Sequence, residues 1–362
     1  MNLLSLIFII ILYFYGTILL YITSISKKKG EMQAFYNNLI NSLVLIGSVT
    51  ISVLNIYVLR ISTTDFIIFP FDLLIIASLI IYLPIFSFFV HREKNKYKDQ
   101  NSSWEKYYLT TFKELPSKFE LYRKSTHLIV LGIVFFYFTL GFLVQNVFVY
   151  LFRLAPPFFS DLFFSIYNLE GDKMVFTQYL VVFLVGLSLI GLISADIIRI
   201  LRPDWYPLKP VNMILREKER SSRIGPHISM GVGCFSIIIT YGPFQPIGPL
   251  IICTSMTMSI FGDMTANLLG RILGKKKIRT SNKTYEGLIA GMISAYISGF
   301  LCLFLLNAIY HISVMGLFFV PLVGSIVIGI LDYADLEIDD NLSYNVLVSF
   351  SFFLVSNALL YQ

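Results

Sequence analysis

The sequence predicts an all-α, polytopic integral membrane protein of about ten transmembrane helices. Of its 362 residues, 56% are hydrophobic and only 14% charged, whereas an ordinary soluble domain carries roughly a quarter charged residues. Mean hydropathy is +0.74. Apolar stretches of about 20 residues, long enough to cross a bilayer as a helix, recur along the whole chain. The same composition excludes disorder, collagen and coiled coil.

In chain order the expected spans are 2–24, 37–59, 66–90, 126–152, 174–195, 226–242, 246–270, 287–309, 312–331 and 343–360. The first has no basic stretch ahead of it and Lys27, Lys28 and Lys29 behind it. A cleaved signal peptide carries its positive charge first, so this span reads as a retained helix with its N-terminus outside. Residues 1–90 thus hold three N-terminal helices, 91–125 a loop, and 126–362 the main membrane-embedded domain. Within the loop, Trp104, Tyr107, Tyr108, Phe112 and Leu115 fall at helical spacing opposite Glu105, Lys106, Lys113 and Glu114. That pattern predicts an amphipathic helix on the inner membrane surface, ended near Pro116; a solvated charged loop is the plainer alternative. Cys234, Cys253 and Cys302 lie inside apolar stretches without paired spacing and read as small core residues.

Ten spans put the loops 25–36, 91–125, 196–225, 271–286 and 332–342 on one side. They and the adjoining helix ends hold 25 of the 28 Lys+Arg and 17 of the 22 Asp+Glu, leaving Arg60, Arg153 and Lys173 with five acids on the other. By the positive-inside rule the basic side is cytoplasmic. The net charge of +6 is therefore a signal of topology and not of a nucleic-acid partner.

Charges drawn into the membrane among small residues call for a separate explanation. Ser255, Ser259, Asp263, Asn267 and Arg271 follow one another at i+4, with Gly262, Ala266, Gly270 and Gly274 beside them. A lone carboxylate at membrane depth is costly unless it meets a cation or a metal; a packing stripe is the structural alternative. Directly after come Lys275, Lys276, Lys277 and Arg279, then Asn282, Lys283, Thr284 and Glu286 before Gly287. Cationic donors beside glycines are suited to a polyphosphate, although the spacing is not that of a Walker A loop. The stripe Gly287, Gly291, Ala295 and Gly299 reads as a close-packing face without chemistry.

Further clusters fall on the same side. Arg123, Lys124 and His127 open the fourth span; Asp196 and Arg199 close the fifth, followed by Arg216, Glu217 and Glu219; Glu337, Asp339, Asp340 and Asn341 precede the last. The acidic stretch runs against the positive-inside trend, and a divalent cation is its natural partner. His227, after Gly225 and Pro226, is a weaker candidate for lining the site. Together the clusters point to a nucleotide–Mg²⁺ site on one membrane face.

The order Arg123-Lys124-x-x-His127, Asp196-x-x-Arg199, Arg216-x-x-Glu219, Gly262-Asp263-x-x-Ala266-x-x-x-Gly270-Arg271-x-x-Gly274-Lys275, Asn282-Lys283-Thr284-x-Glu286-Gly287 and Ile338-Asp339-Asp340-Asn341 resembles the CTP-dependent polyprenol kinase family. That family includes dolichol kinases, phytol kinases and CTP-dependent diacylglycerol kinases. The resemblance covers roughly residues 120–350, and the first three spans are not diagnostic. It implies transfer of the CTP γ-phosphoryl to the hydroxyl of a membrane isoprenoid alcohol, dolichol or another polyprenol first among them, at the cytoplasmic face with Mg²⁺. It further implies a metal-ligand or general-base role for Asp263, with Arg123, Lys124 and His127 beside it at the catalytic centre. Gly262, Gly270, Arg271, Gly274, Lys275, Lys283, Glu286 and Asn341 would hold the nucleotide, and Asp339 and Asp340 the metal. Asp196, Arg199, Arg216 and Glu219 would support them.

Residues 262–287 also resemble the phosphatidate cytidylyltransferases, but that family's His-Gly-Gly and Asp-Arg-x-Asp ending is missing and Asp339-Asp340-Asn341 stands in its place. Met264-Thr265 departs from the two small residues the kinases often carry there. A cytidylyltransferase is therefore the runner-up. A transporter would show repeated halves and midplane polar sites, and a membrane scaffold would not need Asp263, Lys283 and Asp339–Asp340. The sequence leaves a homo-oligomer open and does not name the alcohol.

Overall fold

The computed structural model describes residues 2–61, 65–99, 122–123, 125, 127–169, 171–208, 211, 215–278 and 283–359. The expected surface helix at 104–115, and Lys124, Arg279 and Asn282, lie outside the described residues. Twelve labelled helices place the rest. They are α1 (Leu3–Lys28), α2 (Met32–Val53, running on through a π-helical turn Leu54–Val58), α3 (Phe71–Asp99), α4 (Ile129–Phe135), α5 (Gly141–Arg153), α6 (Pro157–Ile166), α7 (Lys173–Leu201), α8 (Pro226–Tyr241), α9 (Ile247–Leu273), α10 (Tyr285–Leu306), α11 (Val314–Ala334) and α12 (Asp340–Leu354).

Among the described residues, seven helices are long and apolar enough to cross a membrane: α1, α2 with its extension, α3, α7, α9, α10 and α11. The other three expected spans take different forms. Residues 126–152 become α4 and α5 joined by a π-helical turn at Phe136–Leu140. The α8 helix has 16 residues and α12 has 15; at 1.5 Å per residue these reach about 24 and 22 Å, short of a hydrocarbon core of about 30 Å. The α6 helix, unforeseen from the sequence, folds back so that Phe163 stacks on Phe152 with ring centroids 3.8 Å apart.

The α9 helix is the least apolar of the seven and the most deeply buried, because α10, α11, α12, α8 and α4 pack around it. Its pairing with α10 depends on missing side chains. A Cβ on Gly291 would meet the Ala266 Cβ at 2.8 Å and the Gly262 carbonyl at 3.0 Å, so the two backbones approach closely. The stripe expected to be a packing face is one. Ile289, Ile293, Ile297 and Leu301 stand exposed on the opposite side of α10, as a lipid-facing surface requires.

The α1–α2–α8 layer is joined by hydroxyls instead. Ser42 donates to the Gly16 carbonyl (2.7 Å), Ser48 to Ser236 (3.0 Å) and Ser52 to the Ile239 carbonyl (2.9 Å). The three cysteines are buried and free. At one end of the bundle α1, α7, α9 and α11 finish while α2, α8, α10 and α12 begin, and this gathers the charged loops.

Candidate functional site

A cavity of about 680 Å³ opens at that end. One wall is a chain of ion pairs. On the last turns of α7, Arg199 donates to both Asp196 carboxylate oxygens at 2.5 and 2.9 Å. Its remaining donors reach the carbonyls of Glu219 (3.0 Å), Arg220 (3.2 Å) and Arg223 (2.7 Å). Asp196 also accepts from the Gly225 N–H at 3.0 Å, which fixes the start of α8. Glu219, held by the Arg216 N–H at 2.9 Å, pairs with Arg123 at 3.3 Å. All four ionic side chains are buried, and two cations balance two anions.

The floor is Asp263, 4% exposed on α9. Asn267, one turn on, donates to its Oδ1 at 2.7 Å, and His127 Nδ1 stands 3.6 Å from its Oδ2. The carboxylate is thus oriented from both sides while its residue lines the cavity.

The third wall follows α9. Residues Lys277 and Thr284 form an antiparallel bridge, with Ile278 N–H on the Lys283 carbonyl (2.9 Å) and Tyr285 N–H on the Lys276 carbonyl (3.0 Å). Thr284 then caps α10 by accepting from the Gly287 N–H at 3.2 Å. This brings Gly270, Arg271, Gly274, Lys277 and Lys283 to the cavity.

The fourth wall is the α11–α12 corner. Lys283 Nζ lies 2.9 Å from Asp332, 3.3 Å from Asp335 and 3.2 Å from Asp340. Tyr344 donates to Asp332 at 3.1 Å. Asp335 ends α11 with φ 45°, a left-handed conformation that Asp tolerates better than most residues. Burial alone would lower the Lys283 ammonium, but Asp340, Asp332 and Asp335 outweigh it and hold the pKa well above its ordinary value. Burial pushes the Asp340 carboxyl up to about 6; Lys283 opposes this, while Asp263 and Asp332 add to it. Three carboxylates around one ammonium leave an excess of negative charge.

Of the residues singled out in the sequence, Arg123, Arg216, Glu219, Asp263, Gly270, Arg271, Gly274, Lys283, Asp339, Asp340 and Asn341 line this one cavity. His127 meets it through Asp263, and Asp196 and Arg199 stand behind its wall. Three are placed elsewhere. Gly262 packs on Ala295, Lys275 is exposed outside the lining, and Glu286 accepts from the Lys276 N–H at 3.2 Å, bracing the loop from outside. His227 sits near Asp196, Arg199, Glu219 and Asp339 and does not line the cavity. The sequence reading missed Asp332 and Asp335, whose three-residue spacing at the end of an apolar span was the available signal. It also missed Gln33 and Arg223, which line the cavity and carry no such signal.

Asp263 and Asp340 both line the cavity and act electrostatically on one another, and carboxylates are the donors a Mg²⁺ takes. Among the described residues no three His, Cys, Asp or Glu side chains close into a metal cluster. Mg²⁺ usually keeps several waters and binds through one or two carboxylates plus substrate phosphates, so it does not need such a cage. Compared with family models, curated proteins and solved structures, the chain matches none.

Proposed function

We propose that this protein is a CTP-dependent lipid kinase that phosphorylates a membrane isoprenoid alcohol, dolichol or a related polyprenol. The observation that carries the reading is the position of Asp263. It is a buried carboxylate on the central membrane helix, braced by His127 and Asn267, and it opens into the cavity that Arg271, Lys283, Gly270 and Gly274 line. A lipid hydroxyl delivered from the bilayer would meet the triphosphate there.

Phosphoryl transfer needs in-line positioning and charge neutralisation more than covalent chemistry. The alcohol oxygen bonds to the γ-phosphorus as the bond to the β-phosphate oxygen breaks, and CDP leaves. The alcohol proton passes to Asp263, whose Oδ2 faces His127. Arg123, Arg271 and Lys283 neutralise the phosphate oxygens, and the glycines let the backbone approach them. Bound Mg²⁺ would supply charge neutralisation at the phosphates, held by Asp263 and Asp340 with Asp339 beside them. Asp339 accepts from the Asn341 N–H and side-chain amide at 3.0 and 2.6 Å, which orders the start of α12. In this reading α4–α5, α8 and α12 complete ten crossings, both termini lie outside, and the cavity faces the cytoplasm, where CTP is found.

The test is purified protein with CTP and a panel of lipid alcohols and lipid phosphates. Phosphorylated polyprenol with CDP is the expected outcome. A CDP-lipid formed from a lipid phosphate would replace this reading with the cytidylyltransferase one. Cysteine accessibility checks the topology: exposure of 275–277 on the outer face would remove CTP from reach.

A further inference from the structure

Three arginines are buried among the described residues, and two of them have carboxylate partners: Arg199 with Asp196 and Arg123 with Glu219. The third, Arg223, lines the cavity at 6% exposure and pairs with no carboxylate among the described residues. Its one side-chain hydrogen bond runs from Nη2 to the neutral amide of Asn37, at 3.3 Å from Oδ1. Its Nε is sealed inside the protein. Its Nη1 makes no hydrogen bond among the described residues and is not enclosed, so that is the end left to the cavity. Glu219, the nearest acid along the chain, is already committed: Oε1 to Arg123 and Oε2 to the Arg216 N–H. A buried charge without a partner is costly, and an anion entering the cavity removes that cost.

The segment around Arg223 is held in place by other groups. The Ser222 N–H donates to Glu31 at 3.1 Å, and the Ser222 carbonyl accepts from Asn38 at 2.8 Å. The Ile224 N–H donates to Asn38 Oδ1 at 2.9 Å, and Arg199 donates to the Arg223 carbonyl at 2.7 Å. The guanidinium therefore adds one long hydrogen bond to the fold while losing most of its water. A planar guanidinium fixed ahead of its ligand matches phosphate oxygens in pairs. Gln33 of α2 and Arg216 of the α7–α8 segment line the cavity as well. This wall is distinct from the one that Gly270, Gly274, Lys277 and Lys283 form after α9.

We infer that Arg223 centres a second phosphate subsite, separate from the nucleotide's, which takes the phosphate group of the lipid product. The inference rests on the kinase reading and deepens it, since a lipid phosphate is what the transfer makes. The wall that carries Arg223 also carries Arg123, bound to Glu219, and His127 on the next turn faces Asp263. A phosphate group formed at Asp263 thus has a guanidinium-lined wall to move onto as CDP leaves the glycine–lysine wall. The terminal phosphate of CTP offers Arg223 the same chemistry, and the experiment separates the two sources.

Equilibrium binding to full-length protein in lipid nanodiscs tests this, with geranyl phosphate, geraniol and CTP as probes and empty nanodiscs as the blank. The wild type should bind geranyl phosphate roughly tenfold or more tightly than geraniol. It should still bind it with CDP saturating, an arm that needs no variant. Arg223→Gln should weaken geranyl phosphate by roughly tenfold or more and CTP by less than about threefold, the loss of one charge-assisted contact. Arg223→Lys, which keeps the charge, should recover part of the loss. Lys283→Ala should show the reverse order, weakening CTP more than geranyl phosphate. Displacement of geranyl phosphate by CDP, or a CTP loss in Arg223→Gln as large as the geranyl phosphate loss, assigns Arg223 to the nucleotide and overturns the second subsite. Unchanged geranyl phosphate binding in Arg223→Gln, or none in the wild type, overturns it too, and the kinase reading stands in each of these cases. A wild type that holds geranyl phosphate through Arg223 but neither binds nor turns over CTP overturns the kinase reading and leaves the subsite.

Discussion

The two ionic clusters beside the cavity are built on opposite principles. In the Asp196–Arg199–Glu219–Arg123 wall, two cations meet two buried anions, and Arg199 spends its remaining donors on three loop carbonyls. Around Lys283, one cation meets three aspartates, and Asp335 is largely exposed. A balanced network has no excess negative charge and needs no further cation. An unbalanced one facing a cavity has capacity for a further cation. The first cluster therefore reads as a buckle that holds the loop before α8, and the second as working surface.

The largest effect should come from breaking the buckle. Asp196→Ala leaves the Arg199 guanidinium buried without its carboxylate, which typically costs about 3–5 kcal/mol. Most of the variant should fail to give a monodisperse peak in size-exclusion chromatography. Wild-type yield and melting temperature would mean that the wall is not structural.

The floor should behave in the opposite way. Asp263→Asn keeps the shape and the Asn267 contact, so the protein should fold and insert while turnover falls by at least about 10³-fold, as for loss of a principal catalytic group. Near-normal activity would make Asp263 a structural residue.

Lys283→Ala sharpens the contrast further. It leaves Asp332, Asp335 and Asp340 repelling one another, so the melting temperature should fall by about 2–4 °C. Added Mg²⁺ should restore more of it than it adds to the wild type, since a second cation replaces the first. Equal Mg²⁺ effects on both proteins would count against cation capacity at this corner.

The smallest effect is on pH dependence. With Asp340 raised to about 6 from an ordinary 3.8, the folded state keeps this proton at pH values where the unfolded chain has lost it. The stabilisation is full below the unfolded pKa and is lost as pH rises through about 6. In Mg²⁺-free buffer the melting temperature should drop by about 2 °C between pH 5 and 7 beyond that of Asp340→Asn. Parallel profiles would remove Asp340 as the titrating group.

Much of this arrangement was legible in the sequence because membrane helices are dictated by length and apolarity, and charges inside them stand out. Asp263 was visible for that reason, and the glycine stripe of α10 announced its close partner. Helices at the short end were not legible: α8 and α12 sit in apolar stretches whose continuation into a turn depends on local capping and tertiary packing. Asp332 was hidden because an acid at a span end looks like an ordinary loop charge until Lys283 is seen against it. The role of α2 was hidden more deeply. Asn38 donates to the Ser222 carbonyl at 2.8 Å and accepts from the Ile224 N–H at 2.9 Å, contacts separated by more than 180 residues in the chain. No local pattern around Asn37 or Asn38 reports them.

The position of the label in CTP gives the most direct test of the central claim. A kinase passes on only the γ-phosphoryl group, and a cytidylyltransferase keeps the α-phosphorus with the lipid. Incubated with polyprenol and CTP labelled at the γ-phosphate, the purified protein should place label in the lipid and release CDP, whereas α-labelled CTP should leave the lipid unlabelled. Pyrophosphate release, with α-label recovered in the lipid, would contradict the account.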